Sequence, residues 1–144
     1  MRIEMDSWQF WAFLSAIFAA LTAIFGKIGV AGIDSDFATL IRTIVILGVI
    51  SLVVAIRGAA QPLATGSQQT WIFLVLSGLA TGASWLCYFR ALKLGQASQV
   101  APVDKLSVVL VAIIGVIALG ETLTLRAWTG VALVAGGAAL LAFK

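Results

Sequence analysis

Five apolar stretches, at about 8–30, 37–56, 71–92, 98–119 and 127–143, follow one another with only isolated charges inside them. A helix needs about 20 mostly apolar residues to cross the roughly 30 Å of hydrocarbon in a bilayer. Five such spans consume about 100 residues of a chain of 144. Hydrophobic residues make up 62% of the sequence and charged ones 10%, against about 45–50% and about 25% in soluble domains. A chain this short has too little interior to hide that excess. The expectation is an all-α integral membrane protein, with one five-helix transmembrane domain filling 1–144. The longest connection, 57–70, contains Gly58, Pro62, Gly66 and a Ser67-Gln68-Gln69 run and reads as an exposed loop. The first span resembles a signal peptide in position only. Its leader carries Glu4 and Asp6 beside Arg2, and its apolar run exceeds the usual 7–15 residues, so a retained span is expected.

The residue inventory removes several chemistries. There is no histidine, which excludes His-dependent catalysis and the commonest metal ligand. The single cysteine, Cys87, excludes an internal disulfide and a cysteine metal cage. No HExxH, GxSxG or P-loop motif occurs, and no carboxylate pair is close enough to argue for. Neither enzyme activity nor a cofactor or metal is implied. The net charge of +3 is spread singly between apolar runs, which suits membrane flanks and not nucleic acid.

Let the N-terminal side be A, so that five crossings place the C-terminal end on side B. Trp8, Trp11, Trp71 and Trp128 all fall at side A ends, as an interfacial aromatic belt does. Basic residues at side A are Arg2, Arg57 and Arg126, and at side B they are Lys27, Arg42, Arg90, Lys93 and Lys144. The excess favours side B as cytoplasmic, yet it is small, as suits a chain able to insert in both directions.

Counting about 1.5 Å per residue from each span midpoint places Asp104, Lys105, Arg42 and Trp85 some 5–7 Å from the centre, toward side B, with Tyr88 further out. An intramembrane charge costs at least about 2.5–3.5 kcal/mol and tends to face a cavity or a partner. Asp104 and Lys105 are adjacent and therefore about 100° apart on a helix. The expectation is that they do not pair with each other, and that each finds another group, such as Arg42 for Asp104, or water, or substrate. Two readings stand: an Asp104–Arg42 ion pair that only locks helices together, or a functional site. For Arg42 alone a snorkelling interfacial arginine is an equal alternative. Pro102 removes a backbone donor and is expected to kink the fourth span, freeing a carbonyl toward a cavity.

Ser77, Thr81, Ser84 and Tyr88 share one face of the third span, with Trp85, Gly78 and Gly82 beside it. Ser84 with Trp85 and Tyr88 reads as a binding surface, or as part of a helix-packing face. Gly78 and Gly82 read as close helix packing, as GxxxG pairs often are. Ala132, Ala135, Gly136 and Ala139 on the fifth span form another packing face, within the chain or between protomers. A channel needs a ring of like residues or carbonyls, and none stands out. One buried acid, one buried base, an aromatic pair and a kinked helix fit a carrier better.

Over nearly its whole length the chain resembles a single EamA-type repeat of the drug/metabolite transporter superfamily. The matching features are Arg42 early in the second span and Tyr88-Phe89-Arg90-Ala91-Leu92 closing the third. Ala97-Ser98 opens the fourth span, Gly120-Glu121 closes it, and a Gly-rich stretch from Gly130 to Gly136 runs through the fifth. Where the family often has a proline later in the fourth span, this chain has Val108-Val109, with Pro102 earlier and Asp104-Lys105 after it. The resemblance implies a transporter of small molecules in a bacterial inner membrane. Most relatives carry two repeats of five spans, the second inserted upside down. A five-span chain reproduces that arrangement by pairing two copies in opposite orientations, as an antiparallel homodimer. Asp104 then becomes the expected proton or cation carrier, Lys105 or Arg42 the holder of an anionic group, and Trp85 with Tyr88 a stacking surface. The competing expectations are an accessory half-carrier that needs a second protein, and a parallel oligomer acting as a passive pore.

Overall fold

The computed structural model describes residues 7–142, apart from the side chain of Leu63. The leader residues Arg2, Glu4 and Asp6, and the terminal Lys144, lie outside the described residues. Those described form helices α1 (Trp8–Gly29), α2 (Ser35–Arg57), α3 (Gln68–Leu94), α4 (Ala97–Asp104), α5 (Ser107–Leu119) and α6 (Leu125–Ala142), with one 3₁₀ turn at Leu63–Thr65 and no strand among them. Taking α4 and α5 together as Ala97–Leu119, five helical stretches are long and apolar enough to cross a membrane. The all-α, five-span architecture expected from the apolar runs is the one observed. Ile44, Leu47, Ile117, Leu133 and Leu140 are each more than half exposed, a surface that suits hydrocarbon as the surrounding solvent.

Local chemistry explains where the helices start and stop. Asp34 is the N-cap of α2: its Oδ1 accepts from the N–H groups of Asp36, at 2.9 Å, and Phe37, at 3.2 Å. These satisfy two of the donors that a helix start leaves open. Gly58 ends α2 in the left-handed conformation, at φ 59°. Its N–H bonds Ala55 O and that of Ala59 bonds Val54 O, the paired closure that glycine permits without Cβ strain. The third helix begins three residues before its apolar run, because Ser67 Oγ accepts from Thr70 N at 3.1 Å and caps it. Gln68 and Gln69 are therefore helical and not loop.

The chain divides into two compact units: Gly26–Lys93, and the described parts of Met1–Phe25 with Leu94–Lys144. In the first, the end of α1 meets the end of α3. A Cβ on Gly26 would stand 3.0 Å from Phe89 Cζ and 3.3 Å from Leu92 Cδ1, so the absent side chain is what lets the two helices close. Phe89, Leu92 and Val30 are buried, together with Ser35 and Thr39. The Thr39 hydroxyl donates to Ser35 O at 2.9 Å, so that polar group is satisfied within its own helix.

In the second unit α6 packs against α4 and α5. Its inner face runs through Ala127, Val131, Ala135, Ala138 and Ala142, with Ala138 buried and the others half-buried. This differs from the stripe expected from the sequence. Of Ala132, Ala135, Gly136 and Ala139 only Ala135 points inward; the other three are exposed. Gly78 and Gly82 on α3 are likewise exposed, with nothing within 4 Å of a Cβ on either, so among the described residues of its unit no helix closes on that pair.

Candidate functional site

The geometry of the Gly26–Lys93 unit converges on Arg42. Its guanidinium carbon lies 4.4 Å from the centre of the Trp85 ring and 4.5 Å from that of Phe89. The two rings stand four residues apart on α3 and hence on one face of that helix. Each contact of this kind is worth about 0.5–1 kcal/mol when exposed and about 2 when desolvated. Phe89 is buried, and Trp85, Tyr88 and Arg42 are half-buried, so the cation sits partly out of solvent on an aromatic seat. The Tyr88 ring meets Phe89 edge-on, at 6.2 Å between centroids. Phe89 is the residue the sequence reading missed as a site component; its spacing of four from Trp85 was the available signal.

Two lysines at the same end of the unit are held by backbone carbonyls. Lys27 Nζ donates to Leu92 O at 2.6 Å, and Lys93 Nζ to Ile33 O at 2.8 Å. Leu92 lies in the last turn of α3, where carbonyls lack an intrahelical donor and favour a cation, and Ile33 lies in the connection between α1 and α2. The unit's acids near this end are Asp34 and Asp36. The backbone N–H groups of Asp36 and Phe37 hold the Asp34 carboxyl below the usual carboxylate range, desolvation opposes them, and Lys93 and Arg90 add to the lowering. Asp36 Oδ1 accepts the Ser35 hydroxyl at 3.3 Å. Neither acid makes an ion pair with Arg42.

The other unit holds Pro102, Asp104 and Lys105, and here the sequence expectation needs correcting. Asp104 and Lys105 do pair with each other: Lys105 Nζ lies 3.2 Å from Asp104 Oδ2. The angular argument assumed a continuous α-helix and ignored the reach of a four-carbon stem. The helix is in fact broken here, since α4 ends at Asp104 and α5 starts at Ser107. From Leu106 to Val109 the bonds shorten to the i−3 pattern, with Leu106 N on Val103 O, Val108 N on Lys105 O and Val109 N on Leu106 O, each at 3.0 Å. Pro102 lies inside α4 and offers no N–H to the Ser98 carbonyl, so the break follows the proline by half a turn or more. Both charged side chains are partly solvent-accessible, 54% for Lys105 and 34% for Asp104.

Ser77, Thr81 and Ser84 are exposed, and the Thr81 hydroxyl donates back to Ser77 O at 2.8 Å. Glu121, which closes the fourth span after Gly120, is folded back against that span. Glu121 N bonds Gly115 O at 3.1 Å, and a Cβ on Gly115 would stand 2.7 Å from Glu121 Oε2. Gly120 makes this fold-back possible with φ 69°. Among the described residues no group of three or more histidines, cysteines, aspartates or glutamates is placed to hold a metal.

Comparison with known proteins fits this architecture. Residues 6–143 match the EamA-like transporter family. A protein of Sinorhizobium sp. described as "Uncharacterized transporter in cobO 3'region" is 67% identical over 137 residues, which covers 95% of this chain and 97% of that protein. No solved structure matches. With five membrane-length helices and a family match running almost from end to end, the chain belongs to the EamA-like transporter family.

Proposed function

We propose that the protein is a secondary transporter of small metabolites or organic ions, multi-pass in the inner (plasma) membrane, gradient-driven and built as an antiparallel homodimer. The observation that carries this reading is the match of one five-span chain to a transporter family over residues 6–143. An odd number of spans puts the two ends of such a repeat on opposite sides, so an inverted pair requires a second copy entering the membrane the other way. The small Lys/Arg bias between the two sides is compatible with both insertions. The exposed Ala132, Gly136 and Ala139 stripe suits close approach of a second copy, as small residues do in membranes.

In this reading the chain works as one five-helix domain, and its charged groups divide the labour. Asp104 takes the coupling proton. Protonation breaks its pair with Lys105 at the α4–α5 break and leaves the lysine as an uncompensated cation. Arg42, with Trp85, Tyr88 and Ser84 near it on α3, meets the substrate. In an antiparallel pair these groups lie toward opposite faces in the two copies, and rocking one copy against the other opens each face in turn. Cytoplasm-active and periplasm-active reporters, fused separately after Lys144, test the arrangement. Signal from both is expected. Signal from one side alone contradicts the homodimer and favours a half-carrier that needs a second protein.

A further inference from the structure

We infer that Arg42, seated on Trp85 and Phe89, is a receptor for an organic oxyanion, which makes a carboxylate, sulfonate or phosphonate the substrate class. The inference rests on the transporter reading and narrows it. The Arg42 guanidinium carbon lies over both rings, 4.4 and 4.5 Å from their centres. The group also carries five N–H donors, which lie in one plane and match the fork of a carboxylate or a similar oxyanion. Rings do not satisfy those donors. Within the described residues of its unit no carboxylate reaches Arg42: Asp34 is engaged by two backbone N–H groups and Asp36 by the Ser35 hydroxyl.

The neighbouring charges point the same way. Lys27, Arg42, Arg90 and Lys93 stand at this end of the unit against Asp34 and Asp36. Lys27 and Lys93 bond carbonyls, which fixes their positions and leaves their positive charge in place. An organic cation would meet that excess at close range, whereas an oxyanion is drawn toward it. The half-buried faces of Trp85 and Tyr88 give an apolar body something to lie against.

A soluble solute and a lipid phosphate share this chemistry, so the experiment must separate them. The full chain in phosphatidylcholine nanodiscs is titrated with benzenesulfonate and with benzyltrimethylammonium, permanently charged probes built on the same ring, and binding is read by calorimetry. Saturable benzenesulfonate binding is expected, at least tenfold tighter than that of the cation. Arg42→Gln should weaken it tenfold or more, and Arg42→Lys, which keeps the charge but loses the fork, by a smaller factor. Thermal unfolding of each variant checks the fold. Competition from added phosphatidylglycerol identifies a lipid headgroup as the occupant, and absence of competition identifies a soluble oxyanion; both sustain the receptor. Absence of saturable benzenesulfonate binding, tighter binding of the cation, or unchanged binding in a folded Arg42→Gln protein overturns it. The orientation reporters are read separately. Cation preference with signal on both sides would reject the substrate class and leave the transporter, and anion binding with signal on one side would do the reverse.

Discussion

Arg42 and the Asp104–Lys105 pair have the same expected depth, yet they meet the cost of charge in hydrocarbon in opposite ways. Arg42 reaches to another helix and lies on two rings, one of them buried. Asp104 and Lys105 neutralise each other locally, at a helix break, with both side chains partly open to solvent. A cation on an aromatic seat keeps its charge and its N–H donors available for a ligand. A neighbouring ion pair at a break carries no net charge until one partner is protonated. The first arrangement suits recognition and the second suits switching.

The comparison breaks most sharply at the seat. A side chain at Gly26 collides with Phe89 Cζ, already 3.0 Å from a Cβ there, and Phe89 is buried and has little room to yield. Gly26→Val should destabilise the protein by about 1–3 kcal/mol, as overpacking does, and should weaken benzenesulfonate binding along with Arg42→Gln. Gly26→Ala should do the same to a smaller extent. Unfolding midpoints and calorimetry read both effects, and full stability in Gly26→Val would mean that the helix ends are not closed as described.

At the pair, Asp104→Asn leaves Lys105 without its partner but takes away no N–H donor from Arg42. The expected loss is in proton-driven uptake, with oxyanion binding changed less than threefold. A double-mutant comparison with Arg42→Gln should be additive within about 0.5 kcal/mol, as for independent sites. Strong non-additivity would join the two charged groups into one site.

Two further substitutions should do little. Gly115→Ala also places a Cβ too close to another atom, 2.7 Å from Glu121 Oε2, but the obstacle is the end of a flexible, exposed side chain that can swing aside. A stability change within about 0.5 kcal/mol is expected. The smallest effect is at Asp34, whose carboxyl is held below its usual range by the helix N–H groups it caps. A lowered folded-state pKa gives stabilisation that is present above the unfolded value and is lost as pH falls through the folded one. The start of α2 should therefore lose protection only in acid, below about pH 4. Asn at position 34, which caps without titrating, should remove that acid sensitivity in hydrogen exchange of Asp36 and Phe37.

Much of the architecture is legible along the chain because hydrocarbon imposes one rule on every span. The five helices follow from apolar length, and the stops at Gly58 and Gly120 from residues tolerant of positive φ. The site is less legible because it depends on which helix faces which. Trp85 and Tyr88 stand out as polar-tipped aromatics, whereas Phe89 looks like one more lipid-facing ring until Gly26 is seen to admit it. The Asp104–Lys105 contact is hidden by the assumption of an unbroken helix. The stripe at Ala132, Gly136 and Ala139 has the spacing of a packing face, but Val131 and Ala138 show that α6 turns another side inward.

The division between recognition and switching is tested most directly by benzenesulfonate affinity and proton-driven uptake measured side by side in the wild-type, Arg42→Gln and Asp104→Asn proteins. The expected result is affinity at least tenfold weaker in Arg42→Gln but within threefold of the wild type in Asp104→Asn, with proton-driven uptake lost in Asp104→Asn. Equal loss of binding in the two variants, or proton-driven uptake retained in Asp104→Asn, would contradict the account.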